Sequence, residues 1–162
     1  MAERTTMNST IFISRSGVAQ TLQVLQTSGQ RHHEGIAFWL GRRAGKRIDI
    51  VEVYEPAHRA DADYFHIPPQ SMQALQLELR TKRLMIAAQV HSHPRDAFHS
   101  RADDTWAVIR HVGAVSIVLP NFAAKTSTDS FFKDAAIFQL NAANRWLQLP
   151  EDQKVDVCRI SQ

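Results

Sequence analysis

Cysteine is almost missing from this 162-residue chain, Cys158 being the only one. An internal disulfide is therefore excluded, and a reducing compartment fits. Long apolar runs are missing too. Nothing approaches the roughly 18 consecutive apolar residues that a membrane span needs. The opening MAERTTMNST lacks the apolar core of a secretory signal. These absences predict a cytoplasmic protein that makes no use of a membrane. A strong charge of one sign is also lacking. Lysine and arginine number 19 against 16 acidic residues, a net charge of +3, which is too small an excess to argue for a nucleic-acid partner. The basic clusters GRRAGKR and ELRTKR lie beside a turn and a helix end and read as solvated charge. There is no internal repeat and no low-complexity linker. The remaining composition, 44% hydrophobic and 22% charged, is ordinary for a globular chain. It predicts a single domain over residues 1–162 with a real core, its first nine residues flexible.

Periodicity supplies the elements. TIFISR has the β-branched character of a strand. SGVAQTLQVLQTSG reads as a helix, with Ser16 as N-cap, Val18, Leu22 and Leu25 on one face and Gly29 at its end. GIAFWLGR and RIDIVEVYEP are two strands joined as a hairpin through the turn at Arg42 to Lys46. HRADADYFHIPP is a polar loop. Ser71 to Arg83 returns to helical spacing through Met72, Leu75 and Leu79. LMIAAQVHSH is apolar on both faces until its end, as a buried central strand is. A helix is expected from Arg101 to Val112, then a buried strand in AVSIVLP. DAAIFQL and the segment around Trp146 read as closing strands. Interleaved strands and helices, with a crossover on each side of His91, predict an α/β sandwich around a mixed sheet.

The chemistry concentrates in QVHSHPRDAFHSRADDTW. Residues 91–104 hold three of the chain's eight histidines and three aspartates. Alternate residues of a strand share a face, so His91 and His93 point one way and Ser92 the other. Such a pair can hold one tetrahedral zinc ion, and it falls at the carboxyl end of a strand, where α/β sheets place their sites. Asp103 or Asp104 can supply a third ligand. SRAD is also spaced as a capping box, which gives Ser100 and Asp103 a purely structural role. His99 and Asp96 read as solvated loop residues and His32 and His33 as surface or supporting ones. Trp39 and Trp106 read as core. Cys158 has no basic neighbour to activate it and reads as packing or surface.

The stretch HSHPRDAFHSRADD resembles the His-x-His-Pro … Ser-x-x-Asp signature of the JAB/MPN (JAMM) metallopeptidases. Upstream, HHEGIAFWLG resembles that family's glutamate before an apolar strand ending in glycine. The resemblance runs from the first helix to the strand ending at Leu119. It implies a mixed central sheet flanked by helices, similar to the cytidine deaminase sandwich. It also implies one catalytic zinc ion, held by His91, His93 and an aspartate. Glu34 would be the general acid/base, and Ser100 would help hold the oxyanion. One departure bears on the aspartate. The usual signature has seven residues between the second histidine and the serine, whereas PRDAFH is six. Aligned by count, Arg101 would take the serine's place and Asp104 would be the ligand. Aligned on Ser-x-x-Asp, the ligand is Asp103, and this register is preferred because a loop absorbs a deletion more easily than a catalytic serine becomes arginine.

The resemblance further implies hydrolysis of amide bonds, including the isopeptide bond at the C-terminus of a ubiquitin-like modifier. The loops at Glu55 to Gln70 and Pro120 to Phe132 are modest, which resembles compact bacterial members. Those act beside E1-like and E2-like enzymes, including antiphage systems that conjugate a cGAS-like nucleotidyltransferase through its own C-terminus. Trimming of a sulfur-carrier protein is a related alternative. A non-catalytic MPN scaffold is another, though such relatives typically lose the ligands kept here.

Overall fold

A computed structural model describes residues 9–57, 59–60, 65–101, 103 and 107–161. Residues 1–8, where flexibility is expected, lie outside the described residues, as do Asp104 and Trp106. Eight strands form one mixed sheet in the order β10-β1-β3-β2-β6-β7-β8-β9. They are β1 (Thr10–Ser14), β2 (Ile36–Ala44), β3 (Arg47–Tyr54), β6 (Met85–Ser92), β7 (Val115–Leu119), β8 (Ala136–Leu140), β9 (Trp146–Gln148) and β10 (Cys158–Ser161). A two-residue pair, β4 (Arg59–Ala60) with β5 (Phe65–His66), stands apart in the polar loop. The long helices are α1 (Arg15–Gly29) and α2 (Pro69–Lys82); α3 (Phe131–Asp134) and α4 (Lys154–Val157) are single turns.

Two apolar clusters sandwich the sheet. One gathers Val18, Leu22 and Leu25 of α1 with Trp39, Val90, Ile117 and Phe131. The other gathers Leu75 of α2 with Phe38, Leu40, Ile86 and Leu140. Trp39 is core as expected: its indole N–H donates to Thr21 Oγ1 at 2.9 Å and its ring stacks on Phe131. The hairpin turn is tighter than expected, because the strands pair out to Ala44 and Arg47 and leave only Gly45 and Lys46 between them. Gly45 there has φ +62°, a left-handed conformation that glycine adopts without steric cost.

Two expectations are corrected. The N-cap of α1 is Ser14, not Ser16, because the Ser14 hydroxyl oxygen accepts the Gly17 N–H at 3.0 Å. The helix expected over residues 101–112 is not formed over its second half. A helical turn opens at Arg101, but 107–112 are irregular. There the chain follows the sheet instead of its own periodicity: the Val108 N–H donates to Gln89 Oε1 and Ile109 is buried under the α2 side. The last strand, β10, turns Cys158 and Ile160 toward the α1-side core and Arg159 outward, but its four residues are too short a run to be read from the sequence, and it pairs in parallel with β1.

That pairing buries Cys158, and burial pushes its thiol up to about 12. A thiol held neutral is a poor nucleophile. Cys158 is therefore expected to resist Ellman's reagent in the native protein and to react at once in denaturant. Rapid labelling of the native chain would contradict this burial.

Candidate metal centre

β6 lies between β2, with which it runs antiparallel, and β7, with which it runs parallel. Both neighbours hold its carboxyl end: His91 faces Ile36 on one side and Val118 on the other. Even-numbered Ala88 and Val90 join the α1-side core, so Gln89 and His91 point to the opposite face. His93 follows directly after the strand, its N–H donating to Leu119 O at 2.9 Å.

On that face the structure brings His91, His93 and Asp103 together. His91 Nε2 lies 3.2 Å from Asp103 Oδ1, and His93 Nε2 lies 3.1 Å from Asp103 Oδ2. One ligand atom from each residue falls within 4.8 Å of the others. Exposure is 0% for His91, 2% for His93 and 5% for Asp103. Burial alone would raise the Asp103 carboxyl. Its bonds to His91 and His93, the electrostatic pull of His91 and the Ser100 N–H outweigh that and hold it well below the usual carboxylate range. Two imidazoles and one carboxylate, buried and convergent, are a donor set that suits a divalent transition metal. Glu34, 2% exposed, stands at the rim with Oε1 3.8 Å from His93 Nε2.

The Ser100–Asp103 unit forms the reciprocal capping box. The Asp103 N–H donates to Ser100 Oγ at 3.0 Å and the Ser100 N–H donates to Asp103 Oδ2 at 2.8 Å. The cap and the cluster are thus one feature: the bond that starts the helical turn also aims the carboxylate. Asp96, His32 and His33 are exposed.

His99 departs from the solvated reading. Its ring lies between Phe138 and Trp146, about 5 Å from each, and Nε2 is 3.1 Å from Ser116 Oγ. Ser116 also accepts from Gln89 Nε2, so a buried polar chain runs below His91. Gln89 was findable in the sequence as the one polar residue before the histidines in an apolar strand, two positions from His91. Phe98, 53% exposed and edge-on to His93 at 4.6 Å between ring centres, had no such signal.

Ser92, on the other face, fixes Glu34 from behind. Its hydroxyl oxygen accepts the Gly35 N–H at 2.9 Å, and its own N–H donates to Gly35 O at 3.1 Å. A Cβ at Gly35 would stand 2.9 Å from Leu25 Cα, so the segment after Glu34 lies flat on α1. Ser92→Ala would leave a buried N–H without its acceptor, at a cost of roughly 1–3 kcal/mol. A urea unfolding curve is expected to show that loss with an unchanged slope; no loss would remove Ser92 from this role.

Comparison with known proteins agrees with this architecture. Residues 19–131 match the family described as prokaryotic homologs of the JAB domain. A protein named probable metalloprotease y4jG, from Sinorhizobium fredii (strain NBRC 101917 / NGR234), is 33% identical over 145 residues, covering 87% of this chain and 88% of that one. The solution structure of protein DSY2949 from Desulfitobacterium hafniense superposes with a TM-score of 0.69 at 14% identity, over 94% of this chain and 93% of that one. The JAB1/MPN domain protein AF2198 from Archaeoglobus fulgidus gives 0.51 at 13% identity, over 96% of this chain and all of that one. At such identities these two likenesses speak to the fold alone. No helix among the described residues is long and apolar enough to cross a membrane.

Proposed function

The chain belongs to the family of prokaryotic homologues of the JAB domain, and from that premise we propose that it is a zinc-dependent peptidase of the JAMM type. Its substrate is the amide bond at the C-terminal residue of a ubiquitin-like modifier, or of a protein conjugated through its own C-terminus. The observation that carries the reading is the buried His91–His93–Asp103 cluster with Glu34 at its rim. The relative named a probable metalloprotease supports the hydrolytic part.

His91, His93 and Asp103 would hold the ion. Bound there, a zinc ion would lower the pKa of a water to roughly 7 and polarise the scissile carbonyl. Glu34 is set back from the cluster on the His93 side. It takes the proton of the attacking water and delivers it to the departing amine. The Ser100 oxygen already accepts the Asp103 N–H, which leaves its O–H proton to face the oxyanion. A lost donor of that kind typically costs about 10²- to 10³-fold in rate. Phe98 offers an apolar surface beside His93 for an extended tail. The compact form supports a place among bacterial conjugation systems, including deconjugation of a cGAS-like nucleotidyltransferase in antiphage defence, with E1-like and E2-like enzymes as partners.

The test is a panel of ubiquitin-like modifiers joined through their C-termini to lysine side chains or to short extensions. The zinc-loaded protein is incubated with each and the products are read by mass spectrometry. Cleavage after the modifier's last residue, absent in the metal-free protein, is the expected result. Intact substrates throughout the panel, with zinc bound, would count against the substrate class.

A further inference from the structure

We propose that the left-handed turn Asn121–Ala123 fixes His93 for metal binding, and that Gly29 and Gln26 of α1 are positioning residues acting through it. The inference rests on the metal reading given above. His93 lies just beyond β6 and is tethered on one side by its N–H to Leu119 O. On the other, its carbonyl oxygen accepts the Phe122 N–H at 2.7 Å. Pro94 follows and has no N–H to contribute. Arg95 O then accepts the Asn121 N–H at 2.8 Å. Two successive N–H groups of one turn therefore clasp the chain on both sides of Pro94. They are available because the first N–H groups of a helical turn have no partner within it. The next two close the turn, Ala123 onto Pro120 O and Ala124 onto Asn121 O.

The conformation is costly. Asn121, Phe122 and Ala123 have φ of 55°, 53° and 59°, and three consecutive left-handed residues without a glycine persist only where surroundings over-determine them. Those surroundings are the last turn of α1. A Cβ at Gly29 would stand 2.5 Å from Phe122 Cβ and 3.0 Å from its carbonyl oxygen, so the turn occupies the space a side chain would need. Gln26 Nε2 donates to Ala123 O at 2.9 Å and to Thr126 O at 3.2 Å. A line of contact thus runs from α1 through the strained turn to the His93 backbone, separate from the sheet ladder that holds His91.

Cobalt(II) titration of the metal-free full-length protein tests this, reading affinity and the visible d–d band together. Gly29→Ala and Gln26→Ala are each expected to weaken cobalt binding by roughly 10- to 100-fold, the range for groups that support a ligand from behind, and to alter the band. Adding Phe122→Gly to Gly29→Ala removes the clashing Cβ and suits the left-handed backbone, so affinity and band should move back toward wild type. Wild-type affinity and band in both single variants, whatever their melting temperatures, would overturn the proposal. If Gly29→Ala does not fold, Gln26→Ala decides by the same two outcomes. Wild-type protein that takes up no cobalt would remove the metal reading and this inference together. Normal wild-type uptake with unaffected variants overturns the inference alone and leaves the proposed function standing.

Discussion

Glu34→Gln is expected to cut hydrolysis of a conjugated substrate by about 10²- to 10⁴-fold, the range supplied by a positioned acid or base, while zinc content stays at the wild-type level. The amide keeps the size and hydrogen-bonding reach of the carboxylate but cannot take up a proton. Glu34 lies 3.8 Å from the His93 ring, outside the group formed by His91, His93 and Asp103. Its backbone is set by Gly35, which is locked to Ser92 on one side and pressed on Leu25 on the other. Glutamine should therefore occupy the same place. Turnover and metal content measured on one preparation separate the roles. Lost zinc would make Glu34 a ligand, and near-normal turnover would deny it the proton.

Asp103→Asn carries the second large effect. Its carboxylate reaches both histidines and accepts the Ser100 N–H. Asparagine still offers one oxygen to that N–H, so the cap survives in part and the chain should fold. The negative charge is lost, and with it the group that joins the two imidazoles. Zinc affinity should fall by more than the 10- to 100-fold typical of an outer supporting residue, and activity with it. Asp104→Asn is the matched variant, since aligning the signature by residue count would make Asp104 the ligand. It is expected to keep zinc and most activity. Isothermal titration with zinc on the two proteins decides, and the reverse pattern would favour the alignment by residue count.

The sequence by itself determined the elements whose burial is periodic. The α1 stripe, the apolar run of β6 with its two histidines on one face, and the Ser-x-x-Asp cap are all local patterns, each fixed by the geometry of a single strand or turn. Where the pattern was local but its environment was not, the reading failed. Residues 107–112 have helical spacing, yet Gln89 takes the Val108 N–H and the sheet takes Ile109. His99 looks like a loop histidine, yet Phe138 and Trp146 close on it from strands some 40 residues later. β10 alternates over only four residues, too few to stand out in the sequence, and is placed by its parallel pairing along β1. The centre divides in the same way. Candidate ligands were legible as residue types at a spacing, but bringing Asp103 within about 3 Å of both histidines is the work of the crossover between β6 and β7. The left-handed turn at Asn121–Ala123 was not legible at all. No residue type announces it, because three unfavourable backbone conformations are held only by contacts with α1, nearly 100 positions earlier in the chain.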